Sequence, residues 1–109
     1  NSVFVNPPLN GISTTLSATQ IQIEVRNNGG EDISTTASTI TFKTPSGAAC
    51  GAGTGVGALT SGAAQIITFG TCSGLAVGNT LSADLTISYT RPGSTLAQVS
   101  TGSVSGKVS

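Results

Sequence analysis

Ten consecutive residues constrain this chain more than any others. From Leu81 to Thr90, the apolar Leu81, Ala83, Leu85, Ile87 and Tyr89 alternate without a break with Ser82, Asp84, Thr86, Ser88 and Thr90. Only an extended strand puts every second side chain on one face, so the segment predicts a half-buried strand whose wet side is mostly hydroxyl. The same period runs through Gln20–Arg26, where Ile21, Ile23 and Val25 share one face and Gln20, Gln22, Glu24 and Arg26 the other. Thr39–Lys43 repeats it with Ile40 and Phe42 inward, and Gln65–Phe69 is a shorter strand closed by Gly70. A last strand is expected from about Leu96 to Val108, with a phase slip near Gly102 that suggests a bulge.

The stretches between these segments are turn chemistry. Asn27-Asn28-Gly29-Gly30-Glu31-Asp32 turns the chain because Asn and Gly tolerate positive φ. Pro45-Ser46-Gly47 and Arg91-Pro92-Gly93-Ser94 end strands, and Leu75–Asn79 is a connection. No 3.6-residue apolar stripe is present. Strands recurring at short intervals predict one all-β domain over residues 1–109, a two-sheet sandwich of about seven antiparallel strands, with residues 1–10 as a lead-in arm. Its core is expected from Ile21, Ile23, Val25, Ile40, Phe42, Ile67, Phe69, Leu81, Leu85, Ile87 and Tyr89.

Composition excludes most chemistry. Charged residues are 7% of the chain, against roughly 25% in ordinary soluble proteins. Four scattered cations cannot form the basic stripe that nucleic acid needs, so no nucleic-acid partner is expected. There is no histidine, hence no side chain with an unperturbed pKa near neutrality. Cys, Asp and Glu are few and widely spread, so neither a metal nor another cofactor is expected. No apolar run approaches 18 residues, so nothing here is expected to span a membrane. The start, Asn-Ser-Val-Phe-Val-Asn-Pro-Pro, carries no cleavable signal and reads as a processed or truncated end. Ser and Thr total 32 and Gly 15 of 109 residues, so hydroxyls and glycine must do the solubilising that charges usually do. Such a surface suits glycans on Ser or Thr, since no Asn-x-Ser/Thr sequon occurs, or cover by neighbouring subunits.

Individual motifs weigh the same way. Gly53-Thr54-Gly55-Val56-Gly57-Ala58 matches the G-x-G-x-x-A spelling of a dinucleotide turn. That turn works only with a helix behind it, and Leu59–Ala64 is a poor helix former, so a flexible glycine-rich excursion between two strands is expected instead. Cys50 and Cys72 bracket this excursion and predict a disulfide worth about 3 kcal/mol by loop-closure entropy. A nucleophilic serine would need Lys43 or Lys107 as its base, and Glu24, Glu31, Asp32 and Asp84 are expected as solvated charges rather than a hydrolytic pair. An internal isopeptide bond from Lys43 or Lys107 to an Asn, beside Glu24, is conceivable, but no spacing demands it. No enzymatic activity is expected.

Two stretches resemble a known family. "IQIEVRNNGGEDI" (21–33) looks like the first strand pair of archaeal type IV pilin and archaellin head domains, and also occurs in pattern in other immunoglobulin-like adhesion modules. "LSADLTISYTRPGSTLAQVSTGSVSGKVS" (81–109) resembles the last two strands of those heads, which commonly finish in a similar Gly-Ser/Thr-rich ending. The resemblance implies an immunoglobulin-like β-sandwich that works outside the cell as a subunit or head of a surface filament, with copies of itself as partners. The family's hydrophobic N-terminal helix has no counterpart in this sequence. Two expectations remain open: a soluble head, or a different filament in which the apolar arm Val3, Phe4 and Val5 completes a neighbour's sheet as a donated strand. The plainer alternative makes that arm the protein's own first strand. The rival class is a binding module of a larger secreted or surface protein, for which an exposed aromatic platform would be expected.

Overall fold

A computed structural model describes all residues from Asn1 to Ser109. It contains nine strands and no helix: β1 (Ser2–Val5), β2 (Leu9–Leu16), β3 (Ile21–Asn27), β4 (Ile33–Thr44), β5 (Gly53–Thr54), β6 (Gly57–Leu59), β7 (Ala64–Phe69), β8 (Thr80–Thr90) and β9 (Ala97–Lys107). Five form one sheet in the order β1-β9-β8-β4-β6, and four form the other in the order β2-β3-β7-β5. All pairs are antiparallel. The long axis, 43 Å, follows from the three longest strands, since 11 residues at ~3.4 Å each span about 37 Å.

The inner faces meet in a core of 17 buried apolar residues. The alternating strands supply it as their period requires: Ile21, Ile23 and Val25 from β3, Ile67 and Phe69 from β7, and Leu81, Ala83, Leu85, Ile87 and Tyr89 from β8. Ile40 and Phe42 face the same way but are only half-buried. They lie on the part of β4 that β6 does not reach, and the nearest edge strand of the other sheet, β5, has two residues. Leu9 and Leu16 complete the core from β2, a strand that low apolar content hides in the sequence.

Three expectations need correction. The Asn27–Asp32 turn is present, but it carries the chain from one sheet to the other, so the segments on either side of it are not a paired hairpin. The excursion between the cysteines is not unstructured: β5 and β6 arise within it and join different sheets. Finally, β9 has no bulge at Gly102. Its register with β8 runs unbroken from Thr80↔Lys107 to Thr90↔Ala97. The apolar pattern breaks there because the inward positions Ser100 and Gly102 must be small. A Cβ on Gly102 would strike the carbonyl oxygen of Phe4, and the Ser100 hydroxyl donates to the carbonyl of Asn6 at 2.6 Å. Glycine and serine make room where the chain leaves β1 and crosses to β2. Bulges occur instead between Gly11 and Ser13 on β2, and on β4 between Thr35 and Ala37 and between Phe42 and Thr44.

Candidate self-association surface

β1 is an edge strand of the five-stranded sheet, paired only with β9: Ser2↔Ser105, Val3↔Val104, Phe4↔Ser103 and Val5↔Gly102. Val5 points into the core, Val3 is half-buried against it, and Phe4 points outward, 58% exposed. Asn6 pins the end of the arm, its backbone N–H and its side-chain amide donating to the carbonyl and hydroxyl of Thr101, both at 2.9 Å.

Outward from Phe4, the sheet's solvent face is a field of short hydroxyls, interrupted farther along β9 by the exposed Val99 beside Ser88. Adjacent rows run Ser2, Ser105, Ser82; then Phe4, Ser103, Asp84, Thr41; then Thr101, Thr86, Thr39. The period-two pattern of β8 puts Ser82, Asp84, Thr86, Ser88 and Thr90 on this side, as the sequence requires. Lys43 and Asp84 form an ion pair at 3.5 Å, with both side chains more than half exposed, so it contributes at most about 1 kcal/mol. Side chains of this kind are small, lose little rotamer freedom when covered, and carry donors and acceptors that another such face can match.

The far edge of the sheet is only partly closed. β6 pairs with Ile33–Thr35 of β4 and stops. From Ala37 to Thr44 no strand pairs with the outer side of β4 and no loop hydrogen bond reaches it, although Gly53 of β5 packs against Ser38. Behind this open stretch stand the half-buried Ile40 and Phe42.

Cys50 and Cys72 are joined as a disulfide. The bond links the chain leaving β4 to the chain leaving β7, and so ties the two sheets at one end of the sandwich. Its surroundings are well bonded: Ala49 and Ser73 exchange backbone hydrogen bonds of 3.1 and 2.8 Å, and the Cys72 N–H donates to the carbonyl of Thr19 at 3.0 Å. Within the excursion, Gly55 has φ 88°, and a Cβ there would collide with the carbonyl oxygen of Ile66. The glycines of the G-x-G-x-x-A stretch let the chain lie on β7, and the stretch runs into strand β6 rather than a helix.

At the opposite end lies a cavity of about 240 Å³ lined by Pro8, Asn27, Gly29, Glu31, Ile33, Tyr89, Arg91 and Gln98. Its principal polar groups already engage one another. The Arg91 guanidinium holds Glu31 at 2.8 Å, and Asn27 donates to the carbonyls of Glu31 and Leu59 and accepts from the Gly29 N–H. The other carboxylates are dispersed: Asp32 accepts from the Ser61 N–H at 2.9 Å, and Glu24 from the Ser13 hydroxyl at 3.3 Å on the other sheet. Glu24 is therefore on the opposite sheet from Lys43 and Lys107, and the isopeptide arrangement is not assembled. No three His, Cys, Asp or Glu residues gather in one place, and no helix is long and apolar enough to cross a membrane. Sequence reading did not find the open side of β4 or the shared rows of hydroxyls, because both depend on which strands become neighbours. No family model matches the chain, and no curated protein or solved structure matches it either.

Proposed function

We propose that this chain is an immunoglobulin-like sandwich serving as a structural subunit, or head domain, of an extracellular pilus-like filament of the archaeal type IV pilin and archaellin kind, acting in adhesion or motility by shape rather than chemistry. The observation that carries the reading is the solvent face of the five-stranded sheet. It is a broad, hydroxyl-covered surface with one weak ion pair, set beside an exposed Phe4. A free monomer gains little from so few charges, whereas a surface meant to be covered by copies of itself avoids desolvating them.

Strand order supports the immunoglobulin-like half of the proposal. β3 neighbours β7 in one sheet, and β4, β8 and β9 lie in that order in the other. Strands B and E, and C, F and G, have these relations in immunoglobulin domains. The disulfide fits an oxidising compartment, and the Ser/Thr-rich faces offer sites for O-linked glycans. The rival reading, a binding module of a larger surface protein, draws on the cavity beside Tyr89, but its principal polar groups are already satisfied by one another. Electron microscopy of native surface material and of the purified chain tests the proposal. Regular filaments containing this chain are expected; a monomer at every concentration and ionic strength, with no filaments, overturns it.

A further inference from the structure

The outer side of β1 and the stretch of β4 beyond β6 both lack a ladder partner, and they lie at the same height. Following the ladders across the sheet, Val5 lines up through Gly102 and Leu85 with Ile40, Phe4 through Ser103 and Asp84 with Thr41, and Val3 through Val104 and Ala83 with Phe42. β1 is thus level with the part of β4 that β6 leaves open, while β6 occupies only the far part, at Ile33–Thr35. Directions also match. β1, β9, β8 and β4 alternate, so the next strand beside β4 must run as β1 runs to continue the antiparallel order.

We infer that β1 of one copy pairs with the open edge of β4 in the next, with Val5, Phe4 and Val3 opposite Ile40, Thr41 and Phe42, so that the five-stranded sheets of successive copies run on as one. This deepens the filament reading and rests on it. A second copy is the occupant because a sideways displacement alone brings the right strand, in the right direction, to the right height. Side-chain parity agrees as well. Val3 and Val5 face the core, as do Ile40 and Phe42, so the neighbour's valines come to lie beside the two half-buried residues. Phe4 falls on the outer face beside Thr41.

The cover on these edges is partial: β1 is short, with Gly11 of β2 packed on Val3, and Gly53 of β5 touches β4 only at Ser38. Ser2–Val5 and Ala37–Phe42 contain no charge and no proline. A bulge after Phe42, then Lys43 and Pro45, come at once and end the open stretch. The contact is heterologous, the edges being different, so it does not close on itself in a pair and instead propagates. Sheet twist of about 20 to 25° per strand makes the propagating sheet helical rather than flat. In this arrangement β1 never leaves its own sheet; it bridges its own β9 and a neighbour's β4, unlike a donated strand.

A cysteine pair tests it. Within one chain Phe4 and Thr41 are three strand spacings apart, about 14 Å at ~4.8 Å each. That is beyond the roughly 7 Å limit for a disulfide, so a bond between them can form only across copies. In the F4C/T41C double variant, mild oxidation should give a ladder of covalent trimers, tetramers and longer species on a non-reducing gel. Each single variant should stop at dimers, and peptide mapping should find the new bond. Thermal melting checks that the double variant and both single variants fold, as expected at two exposed positions. A second pair of variants uses charge: F4K sets a cation beside the neighbour's Lys43 and should abolish assembly, and F4K/K43E should restore it. Filaments by microscopy without a ladder, or unaffected by F4K, overturn the edge pairing and leave the filament reading standing. Absence of filaments and of any species beyond dimers overturns both.

Discussion

The side-chain amide of Asn27 donates to the carbonyl of Leu59 at 3.0 Å, across 32 residues of sequence and in a site with no exposure of Asn27 at all. The same amide reaches the carbonyl of Glu31 at 2.6 Å, and its oxygen accepts from the Gly29 N–H at 3.0 Å. One residue therefore shapes the crossover between the sheets and fastens the end of β6 to it. Replacing it by Ala leaves buried backbone groups without partners, a cost of about 1–3 kcal/mol. N27A should lower the unfolding free energy from urea titration by that much, seen as a lower midpoint at unchanged m-value. An unaltered midpoint would mean that water or a neighbouring group satisfies those carbonyls.

Gly102 makes a separate prediction. A Cβ there meets the Phe4 carbonyl and lies 3.0 Å from the Val5 Cα, so G102A should push β1 off β9 rather than unfold the sandwich. Overpacking of this kind costs about 1–3 kcal/mol. Hydrogen exchange should show Ser2–Val5 losing protection while β3, β7 and β8 keep theirs. Uniform loss of protection across all strands would mean that β1 is not a separable element.

How much of this was legible in the sequence depends on the type of signal each part leaves. β3 and β8 alternate strictly, and their inward residues are the buried ones; β7 is legible as a short β-branched run whose inward Ile67 and Phe69 are buried although Ile66 faces out. The cysteine pairing was legible as well, because only two cysteines exist. β2 was not, since Asn10, Gly11, Ser13, Thr14 and Thr15 look like loop and only Leu9 and Leu16 at its ends are core. Asn27 reads as a turn residue, and its tie to Leu59 depends on where β6 ends up. Gly102 reads as a bulge because the sequence does not reveal that another strand lies against it. The rows of hydroxyls and the level edges of β1 and β4 are properties of strand order, which alternation alone does not encode.

The disulfide joins the exits of β4 and β7, which belong to different sheets, across a separation of 22 residues. Loop-closure entropy for a loop of this size gives about 3 kcal/mol. For a chain of this length each kcal/mol is roughly 4–8 °C in Tm, so complete reduction should lower Tm by about 12–24 °C. Alkylation and mass spectrometry must confirm that both thiols are free. An unchanged Tm in fully reduced protein would show that the hydrogen bonds around Ala49, Ser73 and Cys72 hold that end without the bond.

Phe42 and Phe69 offer a comparison internal to the core. Phe69 is 1% exposed between β3 and β5 in the four-stranded sheet, and F69A should cost about 3–5 kcal/mol from lost burial and the cavity left behind. Phe42 points inward too, yet stands where β4 has no outer neighbour, so part of its ring already meets water in the isolated chain. F42A should therefore cost roughly half as much, because less apolar surface returns to solvent on truncation. Urea titration of both variants at a concentration where the protein is monomeric measures the difference. Equal losses would mean that the open side of β4 is closed in solution even in the monomer. A gap that vanishes only as protein concentration rises would instead place Phe42 under a neighbouring copy, since assembly stabilises the folded state by mass action and does so most for the residues it covers.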